Sequence, residues 1–127
     1  MKTANVAEAV KSEHVVALLK QMYGENRVEE NAARYQLVAD GFAKEFGEKE
    51  FEFFSAPGRT EIGGNHTDHN HGKVLAGSVH LDCVAAAAPN GTHTVNLISE
   101  TYNQHLVIDL DDLAPTEKTT GTEPLLK

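Results

Sequence analysis

The chain has 127 residues and carries 11 Lys and Arg against 19 Asp and Glu, which gives a net charge of −8. This length fits one domain with a buried core, and the acidic balance argues against nucleic acid and against an anionic membrane surface as partners. No apolar run resembles a signal sequence or a membrane span, which predicts a cytoplasmic protein.

Two amphipathic helices are predicted in a helical segment at about 1–47. Apolar residues recur at helical spacing over residues 15–23 and again over residues 35–46. A glycine, Gly24 or Gly47, follows each pattern at a typical stop position. We expect both helices to be scaffold.

Four strands are predicted to follow the helices, giving an α+β fold with a mixed sheet. An aromatic run predicts the first strand at 51–55. Alternating apolar and polar residues predict three more, at 74–88, 94–99 and 104–110. Turn residues between these three, in the sheet segment at about 73–110, favour an antiparallel meander.

The strand at 74–88 has one predominantly apolar face and one polar face. The single cysteine of the chain, Cys83, lies on the apolar face and is expected to be buried. His80 and Asp82 lie on the polar face, which we expect to pack under the helices.

Near the C-terminus, Thr122 and Pro124 resemble the first turn of a helix whose later turns are not in the sequence. We therefore expect the chain to be a fragment of a longer protein.

Residues 56–72 are predicted to form a functional loop. From residue 58 to residue 72 the chain contains four glycines, three histidines and two asparagines, with almost no apolar side chains. Such a stretch cannot build core. Its charged and amide groups offer both donors and acceptors, a mixture that suits a polyhydroxylated ligand.

Residues 58–70 read Gly-Arg-Thr-Glu-Ile-Gly-Gly-Asn-His-Thr-Asp-His-Asn. This segment resembles the galactokinase signature of the GHMP kinase superfamily, Gly-Arg-x-Asn-x-Ile-Gly-Glu-His-Thr-Asp-Tyr-Asn. The match is without gaps and continues to Val74 and Leu75. By resemblance, the fold is the first part of a GHMP-type N-terminal domain, similar to domain 2 of ribosomal protein S5.

The resemblance implies transfer of the γ-phosphoryl group of ATP to the anomeric hydroxyl of galactose, with ATP and Mg²⁺ as the other components. It makes Arg59 the catalytic electrostatic element, and Glu61, Asn65, His66 and Asp68 the candidate sugar-binding residues. Phosphoryl transfer depends mainly on positioning and charge stabilisation, which fits these residue types.

Several positions depart from the family pattern, and four of them bear on the site. Glu61 replaces an asparagine, Asn65 a glutamate, His69 a tyrosine and Ala76 a proline. An amide donates as well as accepts hydrogen bonds, whereas a carboxylate only accepts them, so the sugar preference stays open between galactose and a related monosaccharide.

The family's phosphate-binding loop and catalytic aspartate lie downstream of the region that resembles this chain. We therefore expect the 127 residues to be inactive alone, within a protein roughly three times longer by the family's usual size, and to expose an uncovered sheet face that favours self-association.

Two other functions stay open. A protein with this loop and without phosphoryl transfer would be a sugar sensor. Alternatively, His66, Asp68, His69 and His71 resemble part of the signature of metallo-β-lactamase-like hydrolases. That signature needs a histidine where Gly64 stands, so the prediction for this chain is no metal site.

Overall fold

The computed structural model describes residues 5–64 and 67–114, apart from the side chain of Asp68. These residues form helices and antiparallel strands, which confirms the α+β class. The chain divides into two compact units, residues 1–88 and 89–127. No helix among the described residues is both long enough and apolar enough to cross a membrane.

Three helices open the first unit: α1 (Val6–Ala9), α2 (Glu13–Tyr23) and α3 (Val28–Phe46), with a 3-10 turn at Glu25–Arg27. Ser12 caps α2 by accepting a hydrogen bond from the N–H of Val15 at 3.4 Å. Gly24 and Gly47 follow α2 and α3, as predicted. The two predicted helices are therefore confirmed.

The first unit ends in an antiparallel pair of strands, β1 (Glu52–Gly63) and β2 (Leu75–Ala87). β1 is much longer than the strand predicted at 51–55. Its second half takes up residues that were predicted to be loop, because the backbone from Arg59 to Gly63 still pairs with β2. Arg59 and Glu61 therefore lie on a strand.

The second unit contains β3 (Thr94–Ser99) and β4 (Gln104–Asp109), paired in antiparallel fashion from Thr94 opposite Asp109 to Ser99 opposite Gln104. The predicted mixed sheet and meander are wrong, since the described strands form two separate antiparallel pairs. Asn90 is one of the turn residues between the strands predicted at 74–88 and 94–99, but β2 and β3 do not pair as a hairpin. Its side chain instead accepts from the N–H of Thr92 at 2.9 Å and donates to the carbonyl of Thr94 at 2.8 Å.

The core of the first unit lies between the helices and one face of the β1–β2 pair, called here the inner face. Phe51 lies just before β1 and Phe53 projects from β1 on this face, and both contact aromatic rings of α3. The ring centroids of Phe42 and Phe51 are 4.9 Å apart, and those of Tyr35 and Phe53 are 5.0 Å apart. These aromatic contacts hold α3 on the hairpin.

The outer face of the same pair is exposed and apolar. Phe54 is 54% exposed and Leu81 is 68% exposed. Cys83 is also exposed, so its predicted burial is wrong. The reason is that Phe51 and Phe53 fix the opposite face against the helices, and Cys83 points away from that face. The predicted C-terminal helix near Thr122 lies outside the described residues.

Candidate functional site

Arg59 and Glu61 come together on β1. They are two residues apart and therefore project from the same face of the strand. Nη2 of Arg59 lies 3.5 Å from Oε1 of Glu61. The Arg59 side chain is 73% exposed, whereas that of Glu61 is 20% exposed. The pair thus presents a guanidinium to solvent above a largely buried carboxylate.

The second carboxylate oxygen of Glu61, Oε2, is buried and has no hydrogen-bond partner within the described part of the chain. A buried acceptor without a donor is costly, because it has lost its water and gained nothing in return. This oxygen is therefore available to a hydroxyl or amide donor brought by a ligand or by a neighbouring segment.

Thr67 organises the loop between β1 and β2. Its N–H and its hydroxyl both donate to the carbonyl of Gly64, at 3.0 and 2.7 Å. Its own carbonyl accepts from the N–H groups of Asn70 and Gly72, at 3.0 and 2.8 Å. A 3-10 turn, Asp68–Asn70, lies within these bonds. Residues 67–72 of the predicted loop thus form a turn that Thr67 joins to Gly64.

At Gly64, the residue that follows β1, the chain comes close to Lys73, which leads into β2. The φ of +81° at Gly64 is a conformation that residues with a side chain rarely adopt. A Cβ atom at this position would lie 2.1 Å from the carbonyl oxygen of Lys73, far inside contact distance. Only glycine fits at position 64, which explains in physical terms why the motif has a glycine there.

The structure brings together two of the five predicted site residues, Arg59 and Glu61. Asn65 and His66 lie outside the described residues, and for Asp68 only the backbone is described. Their roles stay predictions. Within 5–64 and 67–114, no group of three or more His, Cys, Asp or Glu side chains is arranged to hold a metal. That range omits His66, a member of the metal alternative.

Sequence reasoning did not find a polar network on the inner face, centred on Asp82. Tyr23 of α2 and Ser55 of β1 each donate to Oδ2 of Asp82 at 2.5 Å. Arg34 of α3 donates to Oδ1, also at 2.5 Å. The packing of Asp82 under the helices is confirmed, since its side chain is 5% exposed, whereas His80 is exposed.

Burial and hydrogen bonding act in opposite directions on Asp82. Burial by itself would raise the pKa of its carboxyl, but hydrogen bonds from Ser55, Tyr23 and Arg34 outweigh burial and hold the pKa below its ordinary value. Burial and the hydrogen bond to Asp82 raise the pKa of Tyr23. The network is therefore one carboxylate with neutral and cationic donors around it.

Residues 40–89 match the family model described as the galactokinase galactose-binding signature. The chain is 36% identical over 95 residues to a galactokinase of Lactococcus lactis subsp. lactis, a match that covers 74% of this chain and 24% of that protein. It is 37% identical over 75 residues to a galactokinase of Bacillus subtilis, covering 57% of this chain and 19% of that protein.

A third relative, a galactokinase of Lacticaseibacillus casei, is 34% identical over 73 residues, which are 58% of this chain and 19% of that protein. The chain thus spans about a quarter or less of the length of these curated relatives. No solved structure matches the chain significantly. The similarity is to the N-terminal portion of galactokinases, and it includes their galactose-binding signature.

Proposed function

Because this chain carries the galactose-binding signature of galactokinases, we propose that it is the sugar-binding part of a protein that transfers the γ-phosphoryl group of ATP to the anomeric hydroxyl of galactose. The proposal rests on one observation, which is that the residues matching the signature also form the strands and turn where Arg59 and Glu61 lie together. The matched residues, 40–89, include both strands β1 and β2 and the turn at 67–72 between them, with Arg59 and Glu61 adjacent on β1. We further propose that this fold is the first part of a GHMP-type N-terminal domain.

Arg59 is the proposed electrostatic element. Its guanidinium is mostly exposed and its contact with Glu61 is long at 3.5 Å, so it retains donors for an incoming group. A fixed positive charge beside the reacting hydroxyl stabilises the negative charge on the transferring phosphoryl group. Glu61 orients the guanidinium from below.

Glu61 is also a proposed sugar-binding residue. Its buried Oε2 needs a donor, and a sugar hydroxyl is a donor of the right kind. By resemblance, Asn65, His66 and Asp68 complete the set of acceptors and donors around the sugar. The carboxylate at position 61 and the amide at position 65 are where this chain's preference among monosaccharides is set.

The described residues do not fit a site for ATP and Mg²⁺. They include no metal-holding group of carboxylates, and residues 77–127 contain no glycine- and serine-rich phosphate loop in their sequence. We therefore derive no step through the nucleotide from this chain. By resemblance, ATP and Mg²⁺ bind elsewhere in the whole protein, and this chain positions the sugar and supplies one charge.

The proposal is tested with the whole gene product, ATP, Mg²⁺ and galactose, by comparing Arg59→Lys with the unmodified protein. Lysine keeps the charge and loses the planar fork. We expect kcat to fall about 10- to 1,000-fold, with a smaller change in the KM for galactose. Lys49→Gln, an exposed position outside the loop, serves as the control and is expected to leave both constants unchanged.

Two results would contradict the proposal. Normal turnover in Arg59→Lys together with stoichiometric zinc or iron by elemental analysis would favour the metal alternative. Galactose binding by calorimetry without phosphoryl transfer in the unmodified protein would favour a sugar sensor.

A further inference from the structure

The pairing of β1 and β2 contains a bulge next to Arg59. Up to Pro57, which lies opposite Asp82, the register is regular, but the next pair is Arg59 opposite Ser78. Between these pairs β1 has only Gly58, whereas β2 has residues 79–81. An unshifted ladder would place Arg59 opposite His80. The bulge therefore moves Arg59 by two residues along β2, or about 7 Å at the usual rise of a strand.

Two arginine side chains donate to backbone carbonyls of β2 in and beside the bulge, those of His80 and Asp82. Proline has no N–H, so Pro57 cannot donate to Asp82 across the ladder. Arg34 of α3 donates from Nη2 to the carbonyl of Asp82 at 2.5 Å. The same guanidinium donates from Nη1 to the carboxylate of Asp82, also at 2.5 Å. One side chain thus fixes both the backbone and the side chain of this residue.

A second arginine reaches the bulge itself. Arg27 lies at the start of α3 and donates from Nη1 to the carbonyl of His80 at 3.4 Å. Its other nitrogens, Nε and Nη2, pair with the two carboxylate oxygens of Glu30, each at 3.1 Å, which holds the guanidinium in place. Arg27 ends the 3-10 turn that precedes α3 and Arg34 lies within α3, and both side chains reach backbone carbonyls of β2.

Gly58 shows how closely the strands approach at this point. A Cβ atom on Gly58 would lie 3.3 Å from the carbonyl oxygen of Leu81 and 3.2 Å from a methyl group of Val79. The bulged segment therefore packs directly over the backbone of the residue before Arg59. A side chain at position 58 would press on the bulged segment, so the backbone beside Arg59 and the bulge lie close together.

We propose that Arg27 and Arg34 are positioning residues that hold the β2 bulge and thereby set the place of Arg59 and Glu61 in the sugar site. The expected effect on catalysis rests on the proposed function, whereas the bulge and its arginine contacts are features of the fold. Bulges are frequent next to active sites, where they redirect a side chain. A displacement of about 1 Å at a reacting group is enough to cost roughly 100-fold in rate.

The test compares Arg34→Lys, Arg27→Lys and a matched core variant, Phe42→Leu, in the whole gene product at a temperature where all remain folded. Lysine keeps the positive charge but cannot hold the carboxylate and the carbonyl of Asp82 together. We expect Arg34→Lys to lower kcat for galactose about 10- to 100-fold, with Arg27→Lys intermediate. Phe42→Leu lowers stability through the core, away from the bulge, and is expected to leave kcat unchanged.

A second measurement does not depend on the reaction. Amide hydrogen exchange at residues 59–61 and 77–81 is expected to accelerate in Arg34→Lys and not in Phe42→Leu. Unchanged exchange in Arg34→Lys would overturn the proposal, as would an equal loss of kcat in Phe42→Leu. If the unmodified protein neither binds nor phosphorylates galactose, the proposed function fails, and the exchange measurement still decides whether the arginines hold the bulge.

Discussion

Replacing Asp82 by asparagine tests the polar network that joins the helices to the hairpin. The substitution keeps the size of the side chain and removes its charge. It converts one acceptor oxygen into a donor group that faces the hydroxyls of Tyr23 and Ser55 or the guanidinium of Arg34. We expect a clear loss of stability at neutral pH.

The magnitude follows from the three side-chain hydrogen bonds. A hydrogen bond to a charged group contributes about 1.5 to 3 kcal/mol, against about 0.5 to 1.5 kcal/mol for a neutral one. The change is therefore roughly 1 kcal/mol for each bond. Because the Arg34 side chain is 34% exposed, solvent screens part of its share. We expect the free energy of unfolding at pH 7 to fall by about 2 to 3 kcal/mol.

The loss should depend on pH in a defined direction. Since the pKa of Asp82 is lower in the folded protein than in the unfolded chain, the unfolded chain takes up the proton first. The stability contributed by Asp82 is therefore complete above the unfolded pKa of about 3.9 and is lost as pH falls through the folded pKa. The difference between the two proteins should shrink below pH 4.

The measurement is urea denaturation followed by circular dichroism, at pH 7 and at several values below pH 5. The chain has no tryptophan, so the helical signal is the suitable probe. Glu48→Gln changes an exposed carboxylate and is the control, with an expected effect of less than about 0.5 kcal/mol. A difference for Asp82→Asn that is the same at pH 7 and pH 3 would refute the argument, because it would not come from the charge.

Three further predictions concern the loop and the outer face. Asp68→Ala should weaken galactose binding about 10- to 150-fold by calorimetry, because a charged acceptor is lost, and unchanged affinity would remove Asp68 from the site. Gly64→Ala should abolish galactose binding through its clash with the carbonyl of Lys73, and normal binding would show that the loop does not need this contact. Leu81→Glu should reduce self-association in sedimentation experiments, because it places a charge on the exposed apolar face. If the unmodified chain is a monomer, the prediction that this face causes self-association is wrong.

Local patterns in the sequence were enough to find most elements of the fold. Helical spacing with a following glycine determined the ends of α2 and α3, because an amphipathic face and a stop residue are both read within a few turns of chain. Alternation placed β2, β3 and β4 within a residue or two. The closeness of Arg59 and Glu61 did not follow from the sequence, which predicted a loop there, because only their place on β1 puts residues two apart on one face.

Tertiary structure decided what depends on distant residues. Asp82 is held by Tyr23 and Arg34, which are 59 and 48 residues away in the chain. The covered face of β2 is the one opposite Cys83, because Phe51 and Phe53 pack on α3. The register shift beside Arg59 also lies next to distant residues, since Arg27 and Arg34 donate to the backbone carbonyls of His80 and Asp82. No periodicity in β2 encodes those partners, so only the packed structure determines where the site residues lie.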